Sequence, residues 1–199
     1  MKRFLPLGAL ALSLGFTMQA TIVQDGGFES PTTGIYTAVA SLGDGWTATT
    51  GTIGIENNTF EGAVPHSGNQ FAYLDEFSTV NTLSQTLTTT AGQSYTISYW
   101  VADNSPDMYQ VTFGGQTLFN GAGPTAGVGS AADYVNETFT AVASGPSTVL
   151  SFSGKFGGGD GAFGTILDDV DVTGSPEPGT IALFGLGCVV IAALKRKRS

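Results

Sequence analysis

Apolar and polar residues alternate in short segments through the middle of this sequence, and glycine-rich turns separate the segments. In the clearest segment, Tyr95, Ile97, Tyr99 and Val101 fall on one face, and Trp100 falls on the other. Because successive side chains of a strand point to opposite faces, this pattern predicts a β-strand. The same pattern is weaker but present in 71–74, 80–88, 108–113, 135–142, 148–152 and 165–172. No stretch between the two termini has helical periodicity, so we expect an all-β domain.

Turn residues divide these segments at regular intervals. Gly114-Gly115 stands between Tyr109–Phe113 and Gln116–Phe119, which predicts a β-hairpin. Similar turn signals occur at Asp44-Gly45 and Ala91-Gly92. Eight or nine short strands at this spacing are typical of a β-sandwich or barrel. A domain of roughly 155 residues buries about 70% of its unfolded surface, so it needs no disulfide, and Cys188 is the only cysteine.

The charge of the chain is strongly uneven. All 16 acidic residues lie between residues 21 and 178, where Lys155 is the only base, so this segment carries a net charge of −15. A phosphate backbone is repelled by such a domain, which argues against a nucleic-acid partner. An anionic substrate is disfavoured for the same reason, unless a cation bridges it.

The N-terminus predicts export. Lys2-Arg3 precedes an apolar run to Phe16, and Ala20 provides a small residue at its end. A basic start followed by a short apolar run and a small residue indicates a cleavable secretory signal peptide over residues 1–20.

The C-terminus predicts a membrane-associated helix. An apolar run over about 180–194 precedes Lys195, Arg196, Lys197 and Arg198. Fifteen helical residues reach about 22 Å, against a hydrocarbon core of about 30 Å, so a short transmembrane helix and an interfacial helix both remain open. The basic end favours the cytoplasmic side. The domain at 21–174 is then outside the cytoplasm, which agrees with the signal peptide.

The last 25 residues resemble a known sorting signal. Pro176, Glu177 and Pro178 precede the apolar run, and a basic cluster that includes Arg196 ends the chain. This order is similar to the PEP-CTERM sorting tail of exopolysaccharide-producing Gram-negative bacteria. The resemblance implies that an exosortase recognises residues 175–199 and removes them at the inner membrane. The mature protein would then be at the cell surface or extracellular.

The ectodomain resembles galactose-binding-like jelly rolls, a class that includes carbohydrate-binding modules. The resemblance rests on five segments in order, namely 25–29 (DGGFE), Trp46, 65–70 (PHSGNQ), 91–99 (AGQSYTISY) and 166–170 (ILDDV). The opening motif departs from the family, because Asp25 stands where the family has asparagine. The implied fold is a jelly-roll β-sandwich.

An acidic residue in the last segment suggests a cation. Ile166, Asp168, Val170 and Val172 alternate onto one apolar face, where an ionised carboxylate is costly unless it is paired or metal-bound. With Lys155 as the only base, a hard cation such as Ca²⁺ is one solution. A bulge or strand end that exposes Asp168 is the other. The jelly-roll resemblance implies a structural Ca²⁺ held by Glu29 together with Asp168 or Asp169, with carbonyls near Gly27 and Asn69 completing the shell.

Sugar recognition requires aromatic rings beside polar groups. Trp46, Trp100 and Tyr109 are the candidates, although core packing is the usual role of such residues in a strand. None of them is assigned by the resemblance, because the binding residues of that family vary in position.

Catalytic signals are weak. His66 is the only histidine, and we expect it to be structural because it falls in a turn. The acidic pairs Asp75-Glu76 and Asp168-Asp169 are adjacent in sequence, so their side chains are expected on opposite faces rather than around one bond. We therefore expect a non-enzymatic protein that binds or organises exopolysaccharide. The alternative is a structural or adhesive surface protein that acts through homotypic or Ca²⁺-bridged contacts.

Overall fold

A computed structural model describes residues 20–33, 36–39, 41–42, 44–57, 62–74, 80–103, 107–155 and 164–175. These residues form two antiparallel β-sheets packed face to face. The strands are β1 (Tyr36–Val39), β2 (Trp46–Thr50), β3 (Ile53–Asn57), β4 (Gln70–Tyr73), β5 (Val80–Thr88), β6 (Ser94–Ala102), β7 (Met108–Phe113), β8 (Gln116–Ala122), β9 (Val135–Val142), β10 (Ser147–Lys155) and β11 (Ile166–Gly174). A 3₁₀ turn at Ala131–Asp133 precedes β9.

The first sheet has the order β1-β3-β4-β11-β6-β9, and the second has the order β2-β5-β10-β7-β8. We call them sheet A and sheet B. The all-β prediction is confirmed, and so is the hairpin at Gly114-Gly115, where β7 pairs with β8. Strands β1, β2 and β3 were not predicted; β3, for example, is buried at four successive residues and so shows no alternation of apolar and polar residues.

The space between the sheets is filled by the inward faces of the strands. Tyr95, Ile97, Tyr99 and Val101 of β6 point into it, as the alternation predicted. Trp46 and Phe152, both fully buried, pack against each other at a ring-centroid distance of 6.2 Å. This main core is continuous across both sheets.

Sheet A also carries a second, smaller apolar cluster on its outer face. We call it the outer cluster; its buried members are Ala63, Phe71, Ala102, Val128, Tyr134 and Ile166, and Tyr73 and Trp100 pack against them. The segments 62–66 and 127–134 lie over the sheet here, and Val64 N–H donates to the carbonyl of Val128 at 2.9 Å. Sheet A is therefore covered on both faces near this cluster. Among the described residues, no second apolar cluster lies on the outer face of sheet B.

The two ends of the sandwich differ in their connections. At one end the strands are joined by short turns, at 89–93, 114–115 and 143–146. The connections β4–β5, β6–β7, β8–β9 and β10–β11 join strand ends at the other end, and two of them, 123–134 and 156–165, are much longer. We call these the short-turn end and the long-loop end.

No helix within the described ranges is long and apolar enough to cross a membrane. The predicted signal peptide, apart from Ala20, and the predicted C-terminal helix lie outside the described residues.

Candidate functional site

A β-bulge in β11 shapes the candidate site. The register against β6 shifts between Asp168 and Asp171, and Asp169 has a positive φ of 46°. Val170 N–H leaves the β6 ladder and donates to the carbonyl of Gly26 at 2.9 Å. The bulge changes which side chains share a face: Val170 and Val172 enter the main core, while Asp168 lies on the outer side with Ile166. The prediction that all four share one apolar face was wrong, because the alternation skips a step at the bulge.

Asp168 is fully buried, and backbone amides surround its carboxylate. Oδ2 accepts the N–H groups of His66 at 2.9 Å and Ser67 at 3.1 Å. Oδ1 accepts the N–H of Asp169 at 2.7 Å. The expected alternatives were a cation or exposure to water. Asp168 is buried, so exposure to water is wrong, and three amide donors bind the carboxylate.

Asp169 binds the same turn through side chains. Its Oδ2 lies 2.6 Å from His66 Nδ1, and its Oδ1 accepts the hydroxyl of Ser67 at 2.8 Å. The expectation that adjacent carboxylates diverge was wrong at this pair, because the left-handed backbone at Asp169 brings both onto His66 and Ser67.

The electrostatic state of Asp168 follows from its surroundings. Its pKa is raised to about 8: burial is the main cause, the charge of Asp169 adds to the rise, and the amides of Ser67, Asp169 and His66 oppose it. Removal from water is the largest of these effects, so the carboxyl favours its neutral form near neutral pH.

The opening motif holds the other side of the turn. Glu29 Oε1 accepts the N–H groups of Asn69 at 2.6 Å and Gln70 at 3.0 Å. Asp25 in turn accepts the N–H groups of Glu29 and Ser30, at 2.9 and 3.1 Å. Burial raises the pKa of Asp25, and these two amides oppose the rise. Three of the five motifs behind the jelly-roll resemblance, those at 25–29, 65–70 and 166–170, therefore meet at one place.

The predicted metal ligands come close to one another without forming a carboxylate cage. Over the part of the chain that is described, no group of three or more His, Cys, Asp or Glu side chains is arranged to hold a metal ion. A Cβ on Gly27 would lie 3.5 Å from Asp169 Oδ1 and 3.9 Å from Asp168 Oδ1. Gly27 thus leaves space beside two carboxylate oxygens, while Glu29 turns to the amides of Asn69 and Gln70.

The three aromatic candidates for sugar binding differ in how far they are buried. Trp46 is fully buried in the main core, where its Nε1–H donates to the carbonyl of Asp25 at 3.0 Å. Tyr109 is 2% exposed, and its ring stacks on Phe119. Neither ring is accessible to a sugar, so these two predictions are corrected: both side chains fall on inward strand faces.

Trp100 is the candidate that remains partly exposed. The His66 ring stacks on it, with centroids 3.8 Å apart and planes 15° from parallel, and Tyr134 lies 5.5 Å from the same imidazole. Asp169 holds His66 from the side. Trp100, His66 and Asp169 thus form a partly exposed group of two rings and a carboxylate beside the bulge.

A second surface, missed at the sequence level, is the outer face of sheet B. Its registers align one row of hydroxyl side chains across all five strands, namely Thr47, Ser84, Ser151, Thr112 and Thr117. Hydroxyls of adjacent strands contact each other, as between Thr112 and Ser151 at 2.7 Å and between Thr82 and Ser153 at 2.9 Å. Apart from Lys155, the five strands contain no charged residue. The signal in the sequence was the polar half of each alternation, which is mainly Thr and Ser.

Comparisons with known proteins address the tail and the fold. The PEP-CTERM protein-sorting motif matches residues 176–198, which confirms the predicted sorting tail; these residues lie outside the described part of the structure. No curated protein matches the chain.

Among solved structures, the chain is similar to TmCBM61 in complex with β-1,4-galactotriose, at 15% identity and a TM-score of 0.51, over 78% of this chain and 99% of that one. The CBM22-1 xylan-binding domain of Paenibacillus barcinonensis Xyn10C has 14% identity, 82% and 99% coverage and a TM-score of 0.49. The enzymatically active domain of bacteriophage CBA120 tailspike protein 4 has 14% identity, 78% and 22% coverage and a TM-score of 0.44. At 15% identity the similarity to TmCBM61 shows the fold alone, a jelly-roll-like sandwich of two antiparallel sheets.

Proposed function

We propose that this protein is an exported, exosortase-sorted surface protein whose jelly-roll domain binds exopolysaccharide without catalysing a reaction. Before processing, the C-terminal tail anchors it in the inner membrane. After processing, the domain is at the cell surface or extracellular. The observation that carries the proposal is a PEP-CTERM sorting motif following a domain with the fold of carbohydrate-binding modules.

The binding surface we propose is the group formed by Trp100, His66 and Asp169. Sugar sites combine an apolar ring with a few fixed polar groups. Trp100 is partly exposed, His66 stacks on it, and Asp169 fixes the imidazole at 2.6 Å. The fixed geometry means that little side-chain entropy is lost on binding.

The hydroxyl rows of sheet B are a second candidate surface for the same function. They form a broad, uncharged face that hydrogen-bonds readily, which suits a neutral glycan better than an anionic one. They lack an aromatic ring to stack on, so each sugar unit would contribute less than at Trp100.

A non-catalytic role is supported by the state of the acidic pair. Asp168 and Asp169 do converge, but they converge on the backbone and side chains of His66 and Ser67. Ser67 donates its hydroxyl to Asp169 rather than to the imidazole, so it is not arranged as a nucleophile beside a base.

A structural Ca²⁺ is part of the proposal. Asp168 Oδ1 and Asp169 Oδ1 both face the space beside Gly27, and carboxylate oxygens are ligands that Ca²⁺ prefers. A cation there would replace the proton on Asp168 and would tie the bulge to the opening motif.

The test is retention of the protein on immobilised exopolysaccharide from the producing bacterium. We expect retention by the wild type, loss with Trp100→Ala, and no change with Ser151→Arg, which places a long charged side chain in the middle of sheet B. Loss of retention with Ser151→Arg but not with Trp100→Ala would instead assign the binding site to the outer face of sheet B. Complete absence of retention by the wild type would contradict the proposal, and Ca²⁺-dependent self-association without glycan would favour the adhesive alternative.

A further inference from the structure

We propose that the short-turn end of the sandwich lies against the membrane surface while the tail anchors the chain, so that the long-loop end points away from the bilayer. This inference rests on the membrane-anchored stage of the proposed function. It adds an interaction surface, namely the turns at 89–93, 114–115 and 143–146, and its partner, a lipid headgroup layer.

The sorting motif follows directly after Ser175, the last described residue, at this end of the sandwich. Ser175 N–H donates to the carbonyl of Ser94 at 2.8 Å, and the side-chain amide of Gln93 donates to the carbonyl of Ser175 at 3.4 Å. The sorting motif begins at the next residue, 176. The apolar run begins four residues later, and four extended residues span at most about 14 Å.

The N-terminal segment begins at the same end. Ile22 N–H donates to the carbonyl of Val172 at 2.8 Å, and the Thr21 hydroxyl oxygen accepts the N–H of Val172 at 3.2 Å. The predicted signal peptide and the predicted C-terminal helix therefore both join the domain beside the last residues of β11. Strand β11 has nine residues and spans about 30 Å, which separates this end from the long loops.

The distribution of charge agrees with this orientation. The short-turn end contains no charged residue in any of its three turns, in residues 20–23 or in residues 172–175. The described residues of the connections at the long-loop end include three acids, namely Asp103, Asp107 and Asp133.

The nearest acids to the short-turn end set how close a charged bilayer can come. Among the described residues of sheet A the nearest is Asp171, three residues before Gly174 and about 10 Å along the strand. In sequence, Glu177 of the sorting motif follows two residues after Ser175. On sheet B it is Asp44, whose carbonyl accepts the side chain of Gln85, three residues before Thr88. Salt screens charges over about 8 Å, so the uncharged end can touch an anionic surface that repels the rest of the domain.

The experiment uses the full chain from residue 21 to residue 199 in vesicles of phosphatidylethanolamine and phosphatidylglycerol that contain a headgroup-attached nitroxide quencher. Cys188→Ala removes the only cysteine. A fluorophore is then attached at Ser144→Cys in the β9–β10 turn, or at the matched control Ala126→Cys at the long-loop end; both positions are exposed. We expect several-fold greater quenching at position 144 than at position 126.

Equal quenching at both positions, or greater quenching at position 126, would overturn the inference while leaving the anchor intact. A further outcome is quenching at position 144 that varies with protein concentration and not with the density of quencher lipid. That result would overturn the inference too, because it would show that a second copy of the chain binds this end. A chain that does not float with the vesicles would overturn the membrane-anchored stage, and the inference with it. Because flotation is read separately from quenching, the two failures are distinguishable.

Discussion

The buried carboxylate of Asp168 accepts the backbone N–H of His66, a residue 102 positions earlier in the chain, at 2.9 Å. This contact joins the closing strand to the turn that precedes β4. With Glu29 on the opposite side of that turn, it fixes the position of the imidazole that stacks on Trp100. The proposed binding surface is therefore built on contacts between distant parts of the sequence.

The first prediction concerns pH. The pKa of Asp168 is raised to about 8 in the folded state, above its unfolded value of 3.8, so the folded state binds more protons between these values. In Ca²⁺-free buffer we expect the free energy of unfolding to decrease as pH rises from 4 to 8, by at most about 1.4 kcal/mol per pH unit from this group. Urea denaturation across this range measures it. The control is Asp168→Asn, which should flatten the slope; an equal slope in that variant would contradict the assignment.

The second prediction concerns Ca²⁺. Once Asp168 is ionised, it carries the same charge as Asp169 beside Gly27, and a bound cation would offset their repulsion. We expect excess Ca²⁺ to raise the melting temperature at pH 8, with a gain of about 2.7 kcal/mol at a concentration 100 times the dissociation constant, and EDTA to reverse it. Differential scanning calorimetry is the measurement. If neither Ca²⁺ nor EDTA shifts the transition, the amide donors alone stabilise the carboxylates and the calcium proposal fails.

The third prediction concerns Gly26. A Cβ at this position would lie 2.0 Å from the carbonyl oxygen of Val170, which is backbone and belongs to the bulge. We expect Gly26→Ala to destabilise the protein by more than about 2 kcal/mol, because the bulge must move to admit the methyl group. The matched control is Gly129→Ala, where the nearest atom is 3.9 Å away. Similar melting temperatures for the two variants would argue against the observed packing of residue 26 on β11.

The fourth prediction separates the two tryptophans. Trp46 is fully buried and packs on Phe28 and Phe152, so Trp46→Ala should cost about 3–5 kcal/mol of stability. Trp100 is partly exposed, so Trp100→Ala should cost clearly less. Chemical denaturation of both variants compares them. A Trp100→Ala variant as unstable as Trp46→Ala would make Trp100 a core residue, and loss of glycan retention in it would then carry no information about the site.

Much of the fold was determined by the sequence itself. Alternation and turn residues located β4 to β11, because side-chain period and glycine in turns are local properties. The sorting tail, which the motif match confirms, is also a linear pattern of charge and apolar residues, and so is the predicted export signal. Strands β1 to β3 have no clear alternation of their own. They form because β1 pairs with β3, β3 pairs with β4 and β2 pairs with β5.

The tertiary structure determines which side chains come together in the site. The bulge at Asp168–Asp171 reverses the alternation and turns a predicted divergent pair into a convergent one, which no local pattern reveals. The tertiary structure also determines that Trp46 and Tyr109 are core residues while Trp100 is partly exposed. Each side chain is buried or exposed according to the side of its strand on which the second sheet packs. The sequence specified which residues carry polar and aromatic chemistry; the packing of distant segments determined which of them reach solvent together.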